Sequence, residues 1–418
     1  MVLYEWLILG IFVVGYLGII FEHSLGINKA TSAMLTAVGC WAVQFLGLGE
    51  DSANLTHLNE HLAEVSQVVI FLLGALAIVE IIHVHGGLCV LTRLMRIHSK
   101  TISLWVVALV TFFLSSVLDN LTTTIVMVTM LRKIVPDYKD RLIFGSAVVI
   151  AANAGGAWTP IGDVTTTMLW IGGQITTLKI MHNLFIPSIA CTIAACLYFS
   201  FDLHGTQHIH PPEAQEEATT PGKWIFFLGL FSLIFVPVFK IITGLPPFMG
   251  MLLALGGMWL VTDLLHRENV AEQHLRVIGL LSHIDLSAIL FFLGILLSID
   301  ALATSGVLHH AAGALDMAFA SKNVVAILLG VLSAIVDNVP LTAAAMRMYS
   351  FAEFPPDSTF WQLIAFAVGT GGSMLIIGSA AGVGFMSLEK VDFFWYMKRA
   401  SLAAAIGYVV GVLAILFL

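Results

Sequence analysis

The stretch LSSVLDNLTTTIVM, residues 114–127, places a carboxylate, an amide and three consecutive threonines inside an otherwise apolar region. A second stretch, LSAIVDNVPLTAAAM at 332–346, repeats the pattern with Asp337 and Asn338 in place of Asp119 and Asn120. Polar residues of this kind are costly inside a membrane protein, so their repetition decides both the fold and the place to look for function.

Composition identifies the class of protein. The chain has 418 residues, 59% hydrophobic and 11% charged, with a mean hydropathy of +0.97. Soluble domains are closer to half apolar and a quarter charged. Apolar blocks near the ~20 residues that span a bilayer recur along the whole chain, at 4–22, 28–48, 65–83, 180–201, 223–243, 248–265, 286–302 and 400–418. The sequence therefore predicts an all-α polytopic membrane protein.

The two halves of the chain resemble each other. FLLGALAIVEIIHVHGGL (71–88) aligns with FFLGILLSIDALATSGVL (291–308), which pairs Glu80 with Asp300. Asp119-Asn120 matches Asp337-Asn338, and NAGGAWTPIG (153–162) matches GTGGSMLIIG (369–378). Three blocks in the same order indicate a duplicated unit.

This repeat predicts a domain organisation. The first repeat covers 1–202, a linker covers 203–222, and the second repeat covers 223–418. Each repeat is expected to contain a re-entrant hairpin, about 101–134 and 322–348, and a broken helix, about 141–172 and 360–388. With five crossings per repeat, the second copy is inverted relative to the first, with its broken helices near the membrane midplane.

The distribution of positive charge agrees with this crossing count. Fourteen of the 18 Lys and Arg residues fall on the predicted cytoplasmic side, and Lys179, Lys240, Lys322 and Arg347 fall outside. Cytoplasmic loops are normally enriched in Lys and Arg. The prediction places both termini outside and the linker in the cytoplasm.

The polar residues at membrane depth suit a cation site. Na⁺ prefers oxygen ligands, which Asp carboxylates, Asn carbonyls and Thr or Ser hydroxyls supply at helix breaks. The metal position is predicted at Asp119, Asn120, Asp337 and Asn338. The full set of predicted ion- and proton-binding residues is Asp119, Asn120, Thr123, Asn153, Asp163, Thr165, Ser333, Asp337, Asn338, Thr342 and Ser373.

Four further residues are predicted in accessory or pH-sensing roles: Glu80, Asp300, His83 and His85. For Glu80 and Asp300 a structural role is an equal alternative, and the two histidines also suit a membrane interface. The linker histidines in HGTQHIH (204–210) are interpreted as part of a solvated loop.

These residues also carry a family resemblance over essentially the whole chain. SSVLDNLTTTIVM, NAGGAWTPIGDVTTTMLWIGG, LSAIVDNVPLTAAAM and GTGGSMLIIGSAAGVGFM are similar to signatures of the NhaD-type sodium/proton antiporters of the ion transporter superfamily. Dicarboxylate-carrying relatives have Ser-Asn-Thr at the hairpin tips where this chain has Asp-Asn. The resemblance implies exchange of Na⁺ or Li⁺ for H⁺, elevator-type alternating access, a homodimer, and residence in the bacterial cytoplasmic membrane.

Other functions are weighed against this one. An anion, dicarboxylate or metalloid carrier of the same superfamily is the main alternative. An intramembrane aspartyl protease is more distant, since Asp163 lacks the G-x-G-D context and no Tyr-Asp partner is present. The net charge of −8 disfavours nucleic acid as a partner, and no phosphate-binding loop or cofactor motif is expected. The predicted partners are the transported ions and the lipid bilayer.

Overall fold

The protein is described from a computed structural model. The structure describes residues 3–48, 52–91, 97, 99–201, 203, 205, 220–267, 277–280, 284–319 and 321–417. The predicted linker 203–222, including almost all of its His-rich segment, lies largely outside these residues, as do Arg93, Arg96 and Arg276.

The first half of the chain is helical. Its elements are α1 (Leu3–Ile20), α2 (Glu22–Leu25), α3 (Lys29–Leu48), α4 (Ser52–Val84), a 3₁₀ helix (Gly87–Leu91), α5 (Lys100–Ser115), α6 (Asn120–Ile134), α7 (Tyr138–Ala157), α8 (Val164–Ile171) and α9 (Thr177–Ser200).

The second half is helical as well. Its elements are α10 (Thr220–Thr243), α11 (Pro247–Leu265), α12 (Val277–Leu280), α13 (Leu286–Thr304), α14 (Val307–Ala318), α15 (Lys322–Leu332), α16 (Asn338–Met348), α17 (Thr359–Gly371), α18 (Ala380–Glu389), α19 (Phe393–Arg399) and α20 (Ser401–Phe417).

The helices fit a multi-pass membrane protein. Within the described ranges, seven are long and apolar enough to cross a bilayer, or up to nine if each of two bent pairs is one span. Only 17% of the α1 span is buried by the rest of the chain, which leaves most of this apolar helix facing outward. An apolar surface of that extent is stable in lipid and not in water. The prediction of an all-α polytopic membrane protein is confirmed.

Two helices form the centre of the packing. Every residue of α7 from Phe144 onward and all but the first of α17 are buried, and the two helices contact each other. Both are rich in apolar and small side chains around their full circumference, which is typical of a helix enclosed by others. The other helices that carry the polar residues pack around this pair.

Four helix breaks interrupt the apolar helices, at 116–119, 158–163, 333–337 and 372–379. After each break a polar side chain caps the helix that follows. Asp119 accepts a hydrogen bond from the backbone N–H of Thr122, and Asp337 accepts one from that of Val339. Asp163 and Ser379 do the same for Thr165 and Gly382. Such caps satisfy N–H groups that have no partner within the helix.

Glycines allow the backbones to approach closely beside these breaks. A Cβ on Gly155 would overlap the carbonyl oxygen of Phe112, and a Cβ on Gly371 would overlap that of Gly330. These contacts hold α5 against α7 and α15 against α17. In both places a larger residue would push the two helices apart.

Candidate functional site

Asp163 lies at the centre of the polar network. Its Oδ2 accepts hydrogen bonds from Asn120 Nδ2 at 2.7 Å and from Asn338 Nδ2 at 3.4 Å. Its Oδ1 accepts from the backbone N–H of Thr165 at 2.9 Å and from the Thr165 hydroxyl at 3.0 Å. Asparagines from both predicted hairpins therefore converge on one buried carboxylate.

A second part of the network connects Asn153 with the second half. Asn153 Oδ1 accepts from Asn120 Nδ2 at 2.9 Å. Asn153 Nδ2 donates to Ser373 Oγ at 2.8 Å and to Ser379 Oγ at 2.9 Å. This amide thus bridges the break before α6 and the break before α18 inside the protein core.

Asp119 and Asp337 are less enclosed than Asp163. Both side chains are half-buried, whereas Asp163 is 1% exposed. Asp119 is held at both oxygens by Thr122, through the backbone N–H at 2.9 Å and the hydroxyl at 2.5 Å. The Asp337 side chain accepts the Val339 N–H at Oδ1, 3.2 Å away, and within the described part of the chain its Oδ2 makes no hydrogen bond. Of these three aspartates, Asp337 therefore has the most unused acceptor capacity.

The three aspartates line a single cavity of about 90 Å³, named here the carboxylate cavity. Asn120, Asn338 and the start of α18 at Ala380 also border it. Two charged residues that the sequence reading did not select, Lys29 and Asp285, line it too.

The carboxylate cavity is not a closed chelating shell. No three His, Cys, Asp or Glu side chains among the described residues are grouped tightly enough to hold a metal ion. A cation in this cavity would therefore combine one or two carboxylates with amide, hydroxyl or water oxygens.

The helix ends around the cavity set its electrostatics. The breaks before α6, α8, α16 and α18 present four helix N-termini, which carry partial positive charge. Asp caps the first three and Ser caps the fourth. The three Asp side chains thus occupy the N-terminal positions that a bound anion would otherwise use.

The predicted hydroxyls divide into two groups. Ser333 donates to the carbonyl of Val368 and Ser373 accepts from Asn153, so both have partners in the fold. Thr123 and Thr342 are fully buried, and their hydroxyl oxygens have no hydrogen-bond partner in the described part of the chain. Such unsatisfied groups are uncommon and call for an explanation.

The accessory candidates lie apart from this network. Glu80 Oε2 is 3.5 Å from His83 Nδ1, and His85 Nε2 is 2.9 Å from His266 Nε2. Neither Glu80 nor the two histidines line the carboxylate cavity. Asp300 borders a different cavity, where it contacts Arg347.

Some site residues lacked a clear signal in the sequence. Lys29 looks like an ordinary loop cation before an apolar block, and Asp285 is a helix cap beside a loop. Ser379 could be found, because it occupies the position in the second repeat that Asp163 occupies in the first. Tyr16, whose hydroxyl oxygen accepts the Asp337 backbone N–H at 3.1 Å, lies inside an apolar span that gives no hint of this contact.

Comparisons with known proteins agree with one another. The citrate transporter family profile matches residues 16–371. Sodium/proton antiporter 1 of Arabidopsis thaliana is 51% identical over 97% of this chain and 71% of its own length, and sodium/proton antiporter 2 of the same plant is 49% identical over 97% and 98%. The Na⁺/H⁺ antiporter NhaD of Vibrio cholerae is 28% identical over 98% of this chain and 90% of its own.

Proposed function

Since this chain belongs to the citrate transporter family and to the NhaD-type sodium/proton antiporters, we propose that it is a secondary transporter that exchanges Na⁺ for H⁺ across a membrane. Li⁺ is proposed as a second transported cation. The carboxylate cavity, in which Asp119, Asp163 and Asp337 meet, is the single observation that carries the proposal.

The chemistry of exchange follows from competition at these carboxylates. A carboxylate that holds Na⁺ must be ionised, whereas a protonated carboxyl group attracts a cation only weakly. Sodium and a proton therefore exclude each other at one site. If the site opens alternately to each side, each half of the cycle carries one of the two ions, and a gradient of either drives the other.

Asp163 and Asp337 take different roles in this proposal. Asp163 already accepts four hydrogen bonds, so it anchors the amides of Asn120 and Asn338. Asp337 and Asp119 are less enclosed and face the cavity, which suits groups that exchange a ligand. The hydroxyls of Thr123 on α6 and Thr342 on α16, which have no hydrogen-bond partner among the described residues, are proposed as further oxygen ligands in another state of the cycle.

An anion substrate fits this site poorly, although the family profile bears the name of a citrate transporter. Helix N-termini often bind carboxylates or phosphates. Here three of the four N-termini around the cavity are already capped by Asp, whose charge would repel citrate at short range. Sodium is therefore favoured over an oxyanion as the substrate.

The inverted-repeat arrangement is proposed as the basis of alternating access. Its support is local: Ser115 donates to the carbonyl of Ala152, and Ser333 donates to that of Val368. The packing of α5 on α7 corresponds to the packing of α15 on α17. Each contact contains a glycine, Gly155 in the first and Gly371 in the second. The five crossings per repeat, the re-entrant hairpins, the outward termini and elevator-type movement belong to this proposal.

Location and assembly are proposed separately. The protein is a multi-pass membrane protein, and the bacterial cytoplasmic membrane is its proposed location on the strength of the bacterial resemblance. The two plant relatives are more similar to this chain than the Vibrio cholerae protein is. Related antiporter sequences therefore occur in both plants and bacteria. A homodimer is proposed on the same resemblance.

The proposed function is tested with purified protein in liposomes that contain a pH-sensitive dye. Na⁺ and Li⁺ gradients should drive proton movement, and K⁺ should not. The apparent KM for Na⁺ should rise as pH falls, because protons occupy a growing share of the same carboxylates.

Two variants serve as a matched pair in this assay. Asp163→Asn should stop the flux, and Glu353→Gln, which changes an exposed acid that is paired with Lys322 and lines neither cavity, should leave it intact. Absence of cation-driven proton movement by the wild-type protein, together with uptake of citrate or another oxyanion, would replace sodium exchange by anion transport.

A further inference from the structure

A second cavity has a volume of about 450 Å³. It shares four lining helices with the carboxylate cavity: α4, α8, α13 and α16. We name it the arginine cavity after Arg347, which lines it. Nothing in the sequence pattern predicted this cavity.

The two cavities are one helical turn apart. On α16, Val339 lines the carboxylate cavity and Ala343 lines the arginine cavity. On α13 the corresponding residues are Phe292 and Leu296. Four residues of helix correspond to about 6 Å. About one turn of helix therefore separates the two spaces along α13 and α16.

The arginine cavity carries an excess of negative charge. Arg347 donates from Nε to Asp300 Oδ1 at 2.7 Å and from a terminal nitrogen to Glu64 Oε2 at 2.6 Å. One guanidinium thus serves two carboxylates, which leaves a net charge of about −1 when His61, 3.5 Å from Asp300 Oδ1, is neutral.

Asp300 has an acceptor that the fold does not use. The residue is 3% exposed, and its Oδ2 has no hydrogen-bond partner in the described part of the chain. A buried carboxylate oxygen without a partner is costly, so it normally has a ligand, an ion or water. The arginine does not offer a matching anion site, because two carboxylates already engage its guanidinium.

We propose that the arginine cavity is the access vestibule of the carboxylate cavity, and that Asp300 is the group in it that attracts and transiently binds a monovalent alkali cation. This inference rests on the proposed sodium/proton exchange. In the proposed topology the vestibule opens to the outside, because its lining residues on α4 (64–68) lie nearer to Ser52 than those of the carboxylate cavity (71–79).

The transport test uses Asp300→Asn in oriented proteoliposomes with Na⁺ supplied from one side at a time. The apparent KM for Na⁺ supplied from the Ser52 side should rise about tenfold, because the charge that concentrates the cation is removed. The KM from the opposite side and the maximal rate should change less than about twofold. Glu353→Gln, on the same predicted side but not lining the cavity, is the matched control.

Glu64→Gln covers the case in which Asp300→Asn does not fold. The Glu64 side chain is largely exposed, so this substitution removes one negative charge with little effect on packing. It should shift the KM in the same direction and on the same side, by a smaller factor. An unchanged KM in both variants, or an equal loss of transport from both sides, would overturn the role of Asp300.

The vestibule itself is tested without transport. In a variant whose four native cysteines are replaced, Ala343→Cys should react with a membrane-impermeant thiol reagent from the side that labels Ser52→Cys. Ala345→Cys, two residues along α16 but fully buried and lining neither cavity, should not react. Labelling of both or neither would overturn the vestibule.

The two tests separate the possible failures. If the wild-type protein moves no protons in response to Na⁺ but Ala343→Cys still labels, the proposed function fails and the vestibule stands. If exchange is present but the labelling pattern is wrong, only the vestibule is rejected.

Discussion

The break before α8 and the break before α18 have the same backbone plan and different chemistry. Gly156 approaches the carbonyl of Gly162 in the first, and Gly372 approaches that of Gly378 in the second. The cap that follows is Asp163 in one and Ser379 in the other. The matching glycines preserve the turn, whereas the capping residues differ between halves.

This difference indicates how the site combines the two halves. The first half supplies a buried carboxylate and the bridging amide of Asn153, and the second half supplies the hydroxyls of Ser373 and Ser379 that accept from it. A symmetric pair of carboxylates at these positions would place two buried charges together, which is unfavourable without an additional counterion. The asymmetry allows one buried anion to be fully satisfied.

The largest expected effect comes from the two hairpin aspartates. Asp119→Asn and Asp337→Asn should each reduce cation-driven proton flux to the level of protein-free liposomes, because an amide keeps the shape of the side chain but cannot carry the exchanging charge. Dye-based flux measurements on membrane-inserted protein would check this. Exchange retained in one variant only would show that the halves are unequal here too, and exchange retained in both would remove the proposed site.

The glycine contacts test whether the shared backbone plan is equally strict in both halves. Gly155→Ala and Gly371→Ala should each destabilise the protein by about 1–3 kcal/mol, because the new methyl group meets a carbonyl oxygen. The midpoint of thermal unfolding in detergent measures the effect. Gly256→Ala, which has open space around it, is the control and should be neutral or slightly stabilising. A similar midpoint for all three would contradict the close approach.

A smaller effect is expected at the hydroxyl cap. Ser379→Ala removes an acceptor for Asn153 and the cap of α18, at a cost of about 0.5–2 kcal/mol. Sodium exchange should persist with a raised KM, since no carboxylate is lost. The same flux and unfolding measurements apply, and complete loss of exchange in a stable protein would show that Ser379 is a direct ligand.

The smallest effect is expected at the two proposed threonine ligands, Thr123 and Thr342, whose buried hydroxyls lack partners among the described residues. Thr342→Val and Thr123→Val should leave stability unchanged or slightly higher, because an unsatisfied polar group is replaced by a methyl group. Each should raise the KM for Na⁺ about threefold if the hydroxyl binds the cation during the cycle. Thr111→Val, whose hydroxyl has a backbone partner outside the site, tests for a general effect of the substitution.

Much of the fold was accessible from the sequence. The predicted apolar blocks coincide with helices because a bilayer requires about 20 apolar residues in regular hydrogen-bonded structure. The family assignment rested on motifs around Asp119, Asp163 and Asp337, and the plant and bacterial relatives confirm it. The roles assigned to the individual polar residues stay predictions.

The sequence by itself determined which residues are polar where polarity is costly, because that cost is a property of each residue and its apolar neighbours. Only the tertiary structure decided that Asn120 and Asn338 donate to the same Asp163 oxygen, that Lys29 and Asp285 line the carboxylate cavity, and that Arg347 serves two carboxylates one turn away. These contacts join residues separated by tens to hundreds of positions. They depend on how helices pack, which local periodicity and composition do not specify.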